Sequence, residues 1–303
     1  MSRETEKVLR EFHAFLEERE PKNGEEANKL FNQFLNKYNE KQRPRQKEPE
    51  PEDAYDYLEL AEEARTKKAK LEYLDRALEL EPGNLDALIM RADLQSKELD
   101  QFYDLLQPIL QEGERQMREG GYFKNDMGDF WSVFETRPYM RVREQNFSAL
   151  IELGRMKKAI QEGEELLKLC TNDNLGIRYR LMHLYAFAED AKGAARLHRK
   201  YDDYDETQML LPRSVLYYKQ GDLGNAGSFL TRLVKQNKDA KRFIAAAARE
   251  RLDDFIDELS PMGYQPASMS ELLYCFEENS FLYETVPYYY AWANNQLKPQ
   301  KKR

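Results

Sequence analysis

The sequence contains few of the residues that build metal centres, disulfide frameworks and tight turns. Of its 303 residues, two are cysteine, three are histidine, 14 are glycine and 12 are proline. Cys170 and Cys275 lie far apart and neither belongs to a CxxC pair, so neither a zinc site nor a disulfide framework is indicated. The histidines show no HxxxH, HExxH or ExxH spacing. We therefore predict reduced thiols, no metal site and no cofactor.

Long apolar runs and an excess of positive charge are also lacking. The start, MSRETEKVLREF, has no apolar leader core, and FIAAAA at 243–248 is far too short to cross a bilayer. These features predict a cytoplasmic protein that does not bind membranes. The net charge of −8 argues against nucleic-acid binding, because such binding releases counterions from phosphates neutralised by Lys and Arg. Binding of nucleic acid by a local basic patch stays an open alternative.

Catalytic motifs are absent from the sequence as well. There is no GxSxG, no Walker motif and no Gly-rich phosphate loop, and the glycines of QGDLGNAG at 220–227 are explained by a turn between helices. Acidic runs such as Glu164 with Glu165 are explained as a solvated helix face. We predict no catalytic residues.

Helical spacing of apolar residues is what the sequence does contain, without the sustained alternation of a half-buried strand. An apolar stripe predicts a helix over 5–18, and a second stripe follows in NGEEANKLFNQFLNKYNE, so residues 1–40 are predicted to form a helical hairpin. The segment KQRPRQKEPEPED at 41–53 is typical of a charged, Pro-containing linker. The remainder is predicted to be helical, which makes the fold all-α.

An internal repeat runs through that remainder. In 54–84, Ala54, Leu58 and Ala61 share one helix face, Leu74 and Ala77 share the next, and LELEPGN closes the unit. LIELGRMKKAIQEGEELLKLCTNDN at 150–174 and LYYKQGDLGNAGSFLTRLVKQN at 216–237 fit the same frame. In them Gly154 and Gly221 are predicted to make the turns, and Ala159 and Ala226 take the small positions at the helix crossings. These segments resemble tetratricopeptide repeats, whose period is about 34 residues. The resemblance implies a right-handed α-solenoid of degenerate helical hairpins over 54–239.

Other parts of the chain fit the repeat less closely. Residues 85–113 and 130–150 are predicted to be helical pairs, with a loop at 118–131 between them. ETRPYMRVR, LGRMKKAI and NDNLGIRY together are similar to a group of largely uncharacterised bacterial repeat proteins and to a stretch of the suppression of tumorigenicity 7 family. That likeness implies no chemistry.

A concave groove is implied by the tetratricopeptide resemblance, in which the first helix of each pair presents fixed positions inward. Read onto this chain, those positions form a mixed basic and aromatic surface made of Arg141, Arg178, Met182, Tyr185, Val215 and Tyr218. Such a surface suits a peptide with an acidic group or a chain terminus. For CTNDNLGIRYRLMHLY at 170–185 the main interpretation is a joint between helices at 171–174 followed by packing residues Leu181, Leu184 and Tyr185, and the groove is the alternative.

The C-terminal region, 240–297, is predicted to be an aromatic-rich helical cap. It contains a predicted helix over 241–259, a predicted capping box at Ser268 with Glu271, and a cluster at Tyr288, Tyr289, Tyr290 and Trp292. The cluster is interpreted as a closure of the solenoid end, with a partner or homo-oligomer surface as the alternative. KPQKKR forms a basic tail at 298–303.

The function that this reading predicts is non-catalytic: an adaptor or regulator that binds a protein or peptide through the concave face of the solenoid. Two alternatives stay open. One is an RNA-associated repeat protein that binds RNA through five of its arginines, Arg137, Arg141, Arg143, Arg178 and Arg180. The other is an enzyme whose site is assembled from distant helices.

Overall fold

A computed structural model describes residues 8–9, 12, 15–16, 18–19, 23–41, 51, 53–260 and 263–298. Over these residues the chain is built of helices and turns, and the only pairing of strand type is isolated bridges such as that between Ser260 and Gly263. The prediction of an all-α protein is confirmed. In the same residues, no helix combines the length and the apolar character needed to span a bilayer.

The chain divides into two compact units, Met1–Ala149 and Leu150–Arg303. The helices that begin in the first unit are α1 (Gly24–Lys41), α2 (Ala54–Glu63), α3 (Lys67–Leu80), α4 (Leu85–Gln95), α5 (Leu99–Glu119), α6 (Tyr122–Asn125) and α7 (Arg137–Glu152). Those of the second are α8 (Met156–Leu169), α9 (Ile177–Phe187), α10 (Ala191–Lys200), α11 (Thr207–Lys219), α12 (Leu223–Gln236), α13 (Ala240–Ala247), α14 (Met269–Glu278), α15 (Ser280–Tyr283) and α16 (Pro287–Gln296). The predicted domain boundaries at 40, 53, 239 and 297 stay predictions.

In the first unit, helices that follow one another in sequence pack together. Leu58 and Ala61 of α2 meet Leu74 and Ala77 of α3 in a buried cluster, where the small alanines let the helices approach. Side-chain caps begin the helices at Asp53, Thr66 and Asn84. The periodicity of apolar residues and the capping residues thus account for this stretch.

Aromatic contacts occur in the predicted N-terminal hairpin. The ring of Phe34 in α1 lies 5.3 Å from that of Phe12 and 5.7 Å from that of Phe15. Most of the predicted helix at 5–18, most of the linker at 41–53, and residues 299–303 of the basic tail lie outside the described residues.

In the second unit, short turns join the helices at the predicted glycines. Gly154 has φ 67° and Gly221 has φ 74°, backbone conformations that glycine adopts without strain. Ala159 and Ala226, predicted as the small residues at helix crossings, are fully buried. Local sequence therefore decides where these helix pairs turn.

Three local predictions are wrong. Residues 130–150 contain one helix, α7, preceded by turns, where two helices were predicted. The helix predicted over 241–259 ends at Ala247 and is followed by a 3-10 helix, Leu252–Glu258, because Glu250 takes a left-handed conformation with φ 56°. Ser268 begins α14 without a side-chain cap, and Glu271 accepts the backbone N–H of Ala267 and so does not complete a capping box.

The C-terminal helices pack onto the helix pairs of the second unit. α15 packs on α9, α14 packs on α11, and α16 packs on α12 and α13. Tyr289 and Tyr290 of α16 are buried, whereas Tyr288 of the same helix is 80% exposed. The aromatic cluster is therefore divided between core and surface.

Candidate functional site

A cleft of about 380 Å³ opens in the second unit. It lies where the start of α9, the loop before α11, the end of α12 and the loop before α14 converge. Its lining residues are Tyr179, Tyr204, Asp205, Glu206, Thr207, Gln236, Tyr264, Pro266, Ala267 and Glu271. Three phenol rings and three carboxylates thus share one concave surface, and none of the lining residues is basic.

The loop before α11 is held in place by a buried histidine. His198 Nε2 donates to the carbonyl oxygen of Tyr204 at 2.9 Å. His198 Nδ1 accepts from the guanidinium of Arg213, which can only donate, so this contact determines the tautomer. Tyr204, which is 69% exposed, therefore projects from an anchored backbone.

The wall formed by α9 is a hydrogen-bonded chain. Arg178 Nη2 donates to Tyr179 Oη at 2.6 Å, and Tyr179 Oη donates to Glu206 Oε1 at 3.0 Å. The Arg178 guanidinium also lies 4.4 Å from the centroid of the Tyr179 ring, a cation–π distance. Burial raises the pKa of Tyr179, so the phenol stays protonated and can donate.

The floor of the cleft contains a buried carboxylate. Glu271 is 6% exposed, and its Oε2 accepts the backbone N–H of Ala267 at 2.7 Å. Burial raises the pKa of Glu271, while hydrogen bonds from Thr207 and Ala267 act in the opposite direction. Asn237 Nδ2 donates to Thr207 Oγ1 at 3.1 Å and to the Ser268 carbonyl at 3.0 Å, which ties the two sides of the floor together.

Three of the six predicted groove residues form core. Met182, Tyr185 and Val215 are buried, and Tyr185 Oη donates to Glu164 Oε1 at 2.6 Å. The ideal repeat frame places these positions on an open face, but the C-terminal helices pack against α9 and α11 in this structure. These three side chains therefore offer no surface to a peptide.

The other three predicted residues occupy different surroundings. Arg141 forms a bidentate ion pair with Asp86 in the first unit. Tyr218 is half-buried against Tyr289 and Trp292, with ring centroids 5.4 and 5.2 Å apart. Arg178 lies beside the cleft, so it alone of the six borders the concave surface that the structure describes.

The arginines proposed for RNA binding make contacts inside the protein. Arg137 is buried and its Nε donates to the Trp131 carbonyl at 2.7 Å, while Arg143 Nη1 donates to Tyr139 Oη at 3.2 Å. Nothing in these contacts favours RNA.

A second cluster of reactive side chain types is closed to solvent. His183 Nε2 lies 2.7 Å from Tyr283 Oη and 3.1 Å from Cys275 Sγ, and all three residues are buried. His183 Nδ1 donates to the Tyr179 carbonyl at 2.7 Å, so Nε2 is the acceptor for the phenol. Burial lowers the pKa of His183 to about 4 and raises that of Cys275 to about 12. The cluster joins α9 to α14 and α15 as a neutral core network.

This network makes stability depend on pH. The pKa of His183 is about 4 in the folded chain and 6.5 in its ordinary state, so between those values only the unfolded chain takes up the proton. Stability from His183 is complete above pH 6.5 and is lost as the pH falls towards 4. From pH 7 to 4.5 we expect wild type to lose about 2–3 kcal/mol more than His183→Gln, in urea unfolding followed by circular dichroism.

The comparison with His183→Gln also cancels the contributions of other groups to the pH dependence of stability, including those of opposite sign. Burial raises the pKa of Asp173 to about 6, which favours folding as the pH falls, but Asp173 is present in both proteins. Parallel stability curves for the two proteins would contradict the assignment of His183 as a neutral core residue.

The prediction from sequence missed most of the cleft. Tyr204 and Glu206 lie in YDDYDE at 201–206, and Tyr264 with Glu271 lies in GYQPASMSE at 263–271. Each stretch places an acid and a tyrosine near the start of a helix, which is the only local signal. Their convergence with Tyr179 depends on tertiary packing.

Among the residues with described positions, no group of three or more His, Cys, Asp or Glu side chains could hold a metal ion. In comparison with known proteins, no family model matches the chain. No curated protein matches it either.

Proposed function

We propose that this protein binds a peptide segment of another protein in the cleft of the second unit, without catalysing a reaction. The observation that carries the proposal is the concave surface lined by Tyr179, Tyr204 and Tyr264 and held by partly buried hydrogen bonds of Tyr179 and Tyr264. A pre-formed cleft of a few hundred Å³ with convergent polar groups is the usual form of a binding site. Tyrosine gives a large contact area at a low cost in side-chain entropy.

The architecture that accompanies this proposal is a right-handed solenoid of tetratricopeptide-like helix pairs. It is supported by helices of the second unit that pack on the next helix in sequence, such as α11 on α12, by the turns at Gly154 and Gly221, and by the small buried residues Ala159 and Ala226. Helical repeats commonly serve as binding scaffolds. The binding surface differs from the one that the repeat frame implies, because the C-terminal helices cover α9 and α11.

Selection from a phage-displayed random peptide library on the immobilised full chain tests the proposal. We expect peptides to be enriched whose affinity, measured by fluorescence anisotropy, falls about tenfold in Tyr204→Ala, because truncating an aromatic residue at an interface costs more than about 1 kcal/mol. Tyr204 is well exposed, so its loss should leave the fold intact.

Tyr288→Ala is the matched control, since Tyr288 is also an exposed tyrosine but lies on α16, away from the cleft. Its affinity for the selected peptides should equal that of wild type. Absence of enriched peptides would overturn peptide binding. Loss of affinity in Tyr288→Ala with none in Tyr204→Ala would move the site to the C-terminal aromatic surface.

A further inference from the structure

We infer that the cleft selects a cationic side chain, the guanidinium of arginine or the ammonium of lysine, from its peptide. This inference rests on the proposed function and names the chemistry that the site would recognise. It departs from the sequence-based expectation of an acidic peptide, because the arginines behind that expectation make internal contacts and the cleft is lined with acids.

The three carboxylates of the cleft differ in whether a lysine or arginine of the protein pairs with them. Arg232 hydrogen-bonds to both carboxylate oxygens of Asp205, and Arg178 lies 3.5 Å from Glu206. Glu271, the third carboxylate, accepts hydrogen bonds from Thr207 and Ala267, but no lysine or arginine of the described chain forms an ion pair with it. Two of the three carboxylates therefore have a cationic partner in the protein, and the most buried one does not.

A buried carboxylate with no counter-charge is unfavourable unless its hydrogen bonds compensate for lost hydration. The raised pKa of Glu271 is the expected consequence of its burial. A cation entering the cleft would supply the missing charge to a carboxylate that is already held in place. Charge-assisted hydrogen bonds of this kind are about twice as strong as neutral ones.

The tyrosine rings add a second reason for cation binding. Tyr179, Tyr204 and Tyr264 line the same cleft, and the faces of phenol rings attract cations. The Arg178 guanidinium, 4.4 Å from the Tyr179 ring centroid and 5.0 Å from that of Tyr201, shows this contact within the protein itself. An aromatic wall beside a carboxylate floor fits a long side chain with an apolar stem and a charged end.

The whole chain favours the same class of partner. Its net charge is −8, so its electrostatic field attracts basic segments. The range of this attraction shortens as the salt concentration rises. This attraction would speed association, whereas Glu271 and the tyrosine rings would determine which side chain is retained.

The test uses five acetylated peptide libraries that share randomised flanks and differ in one fixed central residue. That residue is arginine, its neutral analogue citrulline, lysine, its neutral analogue norleucine, or glutamate. With the full-length chain, we expect the strongest arginine and lysine binders to be about 10- to 100-fold tighter than their neutral analogues, measured by fluorescence anisotropy. Glutamate peptides should bind weakest.

Glu271→Gln is the diagnostic variant, and Glu258→Gln is the matched control on the 3-10 helix outside the cleft. Glu271→Gln should remove most of the preference for arginine over citrulline while circular dichroism and thermal unfolding remain as in wild type. Glu258→Gln should retain that preference. If Glu271→Gln does not fold, Tyr204→Ala tests the preference through the aromatic wall, because it removes one of the ring faces that would contact the cation.

The outcomes separate this inference from the proposed function. If arginine-containing and citrulline-containing peptides bind in the cleft with equal affinity, the inference is overturned and peptide binding stays in place. If no library binds, both fail. If free arginine amide binds as tightly as the arginine peptides, the site recognises a small cation and the peptide proposal is overturned.

Discussion

Replacing Arg141 with leucine is expected to lower the free energy of unfolding of the first unit by about 3 kcal/mol. Arg141 Nε donates to Asp86 Oδ1 at 2.8 Å and Arg141 Nη2 donates to Oδ2 at 2.7 Å. The Asp86 side chain is 2% exposed, so removing the arginine leaves a buried carboxylate without this counter-charge. The desolvated charge, more than the lost hydrogen bonds, accounts for the size of the effect.

The measurement is urea unfolding of the full chain by circular dichroism, with hydrogen exchange to locate the change in α4 and α7. Arg76→Leu is the control, because Arg76 pairs with Glu79 at 2.6 Å on an exposed surface and such pairs contribute little. The double variant Asp86→Asn, Arg141→Leu should recover part of the loss, since no charge then remains buried. A single variant as stable as wild type would show that Asp86 does not depend on Arg141.

This ion pair changes how binding data on Arg141 should be interpreted. The repeat frame predicts Arg141 as a ligand contact, and loss of binding in an alanine variant would agree with that role. The same loss would follow from local unfolding around Asp86. Only variants that retain the stability of the first unit can test a groove there.

The helical class was predictable because its signals are local. Apolar spacing, caps such as Asp53 and Thr66, and glycines at Gly154 and Gly221 act within a few residues of the helix ends that they determine. The break at Glu250 has no such signal, since no glycine or proline lies there and the flanking residues favour helix. The left-handed Glu250 is stabilised by local backbone hydrogen bonds, in which the Arg251 N–H donates to the Ala246 carbonyl at 3.0 Å, but glutamate as a residue type does not predict that conformation.

The site was much less predictable, because it depends on contacts between distant segments. Met182 and Val215 have the spacing of inward-facing repeat positions, yet residues of α14, α15 and α16 pack against their helices. Glu271 lies near the residues before α11 because α14 packs on α11. A repeat frame describes neighbouring helix pairs, and it contains no information about a C-terminal segment that folds back onto them.

That folded-back segment leads to the second large effect. Tyr289→Ala is expected to lower the free energy of unfolding of the second unit by about 3–5 kcal/mol, the range for truncating a large buried aromatic side chain. Tyr289 is fully buried, with its ring centroid 5.4 Å from that of Tyr218 and 5.7 Å from that of Trp292. Its hydroxyl donates to Ser214 Oγ at 2.8 Å, and Ser214 donates onward to the Ala226 carbonyl.

Two further variants divide this effect into its parts. Tyr289→Phe keeps the ring and loses one hydrogen bond, so it should cost only about 1 kcal/mol. Tyr288→Ala removes a neighbouring tyrosine that is 80% exposed and should be close to wild type. Thermal unfolding gives the order of stability, and hydrogen exchange in α11 and α16 shows whether Tyr289→Ala releases the C-terminal helix. Equal losses in Tyr288→Ala and Tyr289→Ala would contradict this docking of α16, because only the buried ring contacts Tyr218 and Ser214.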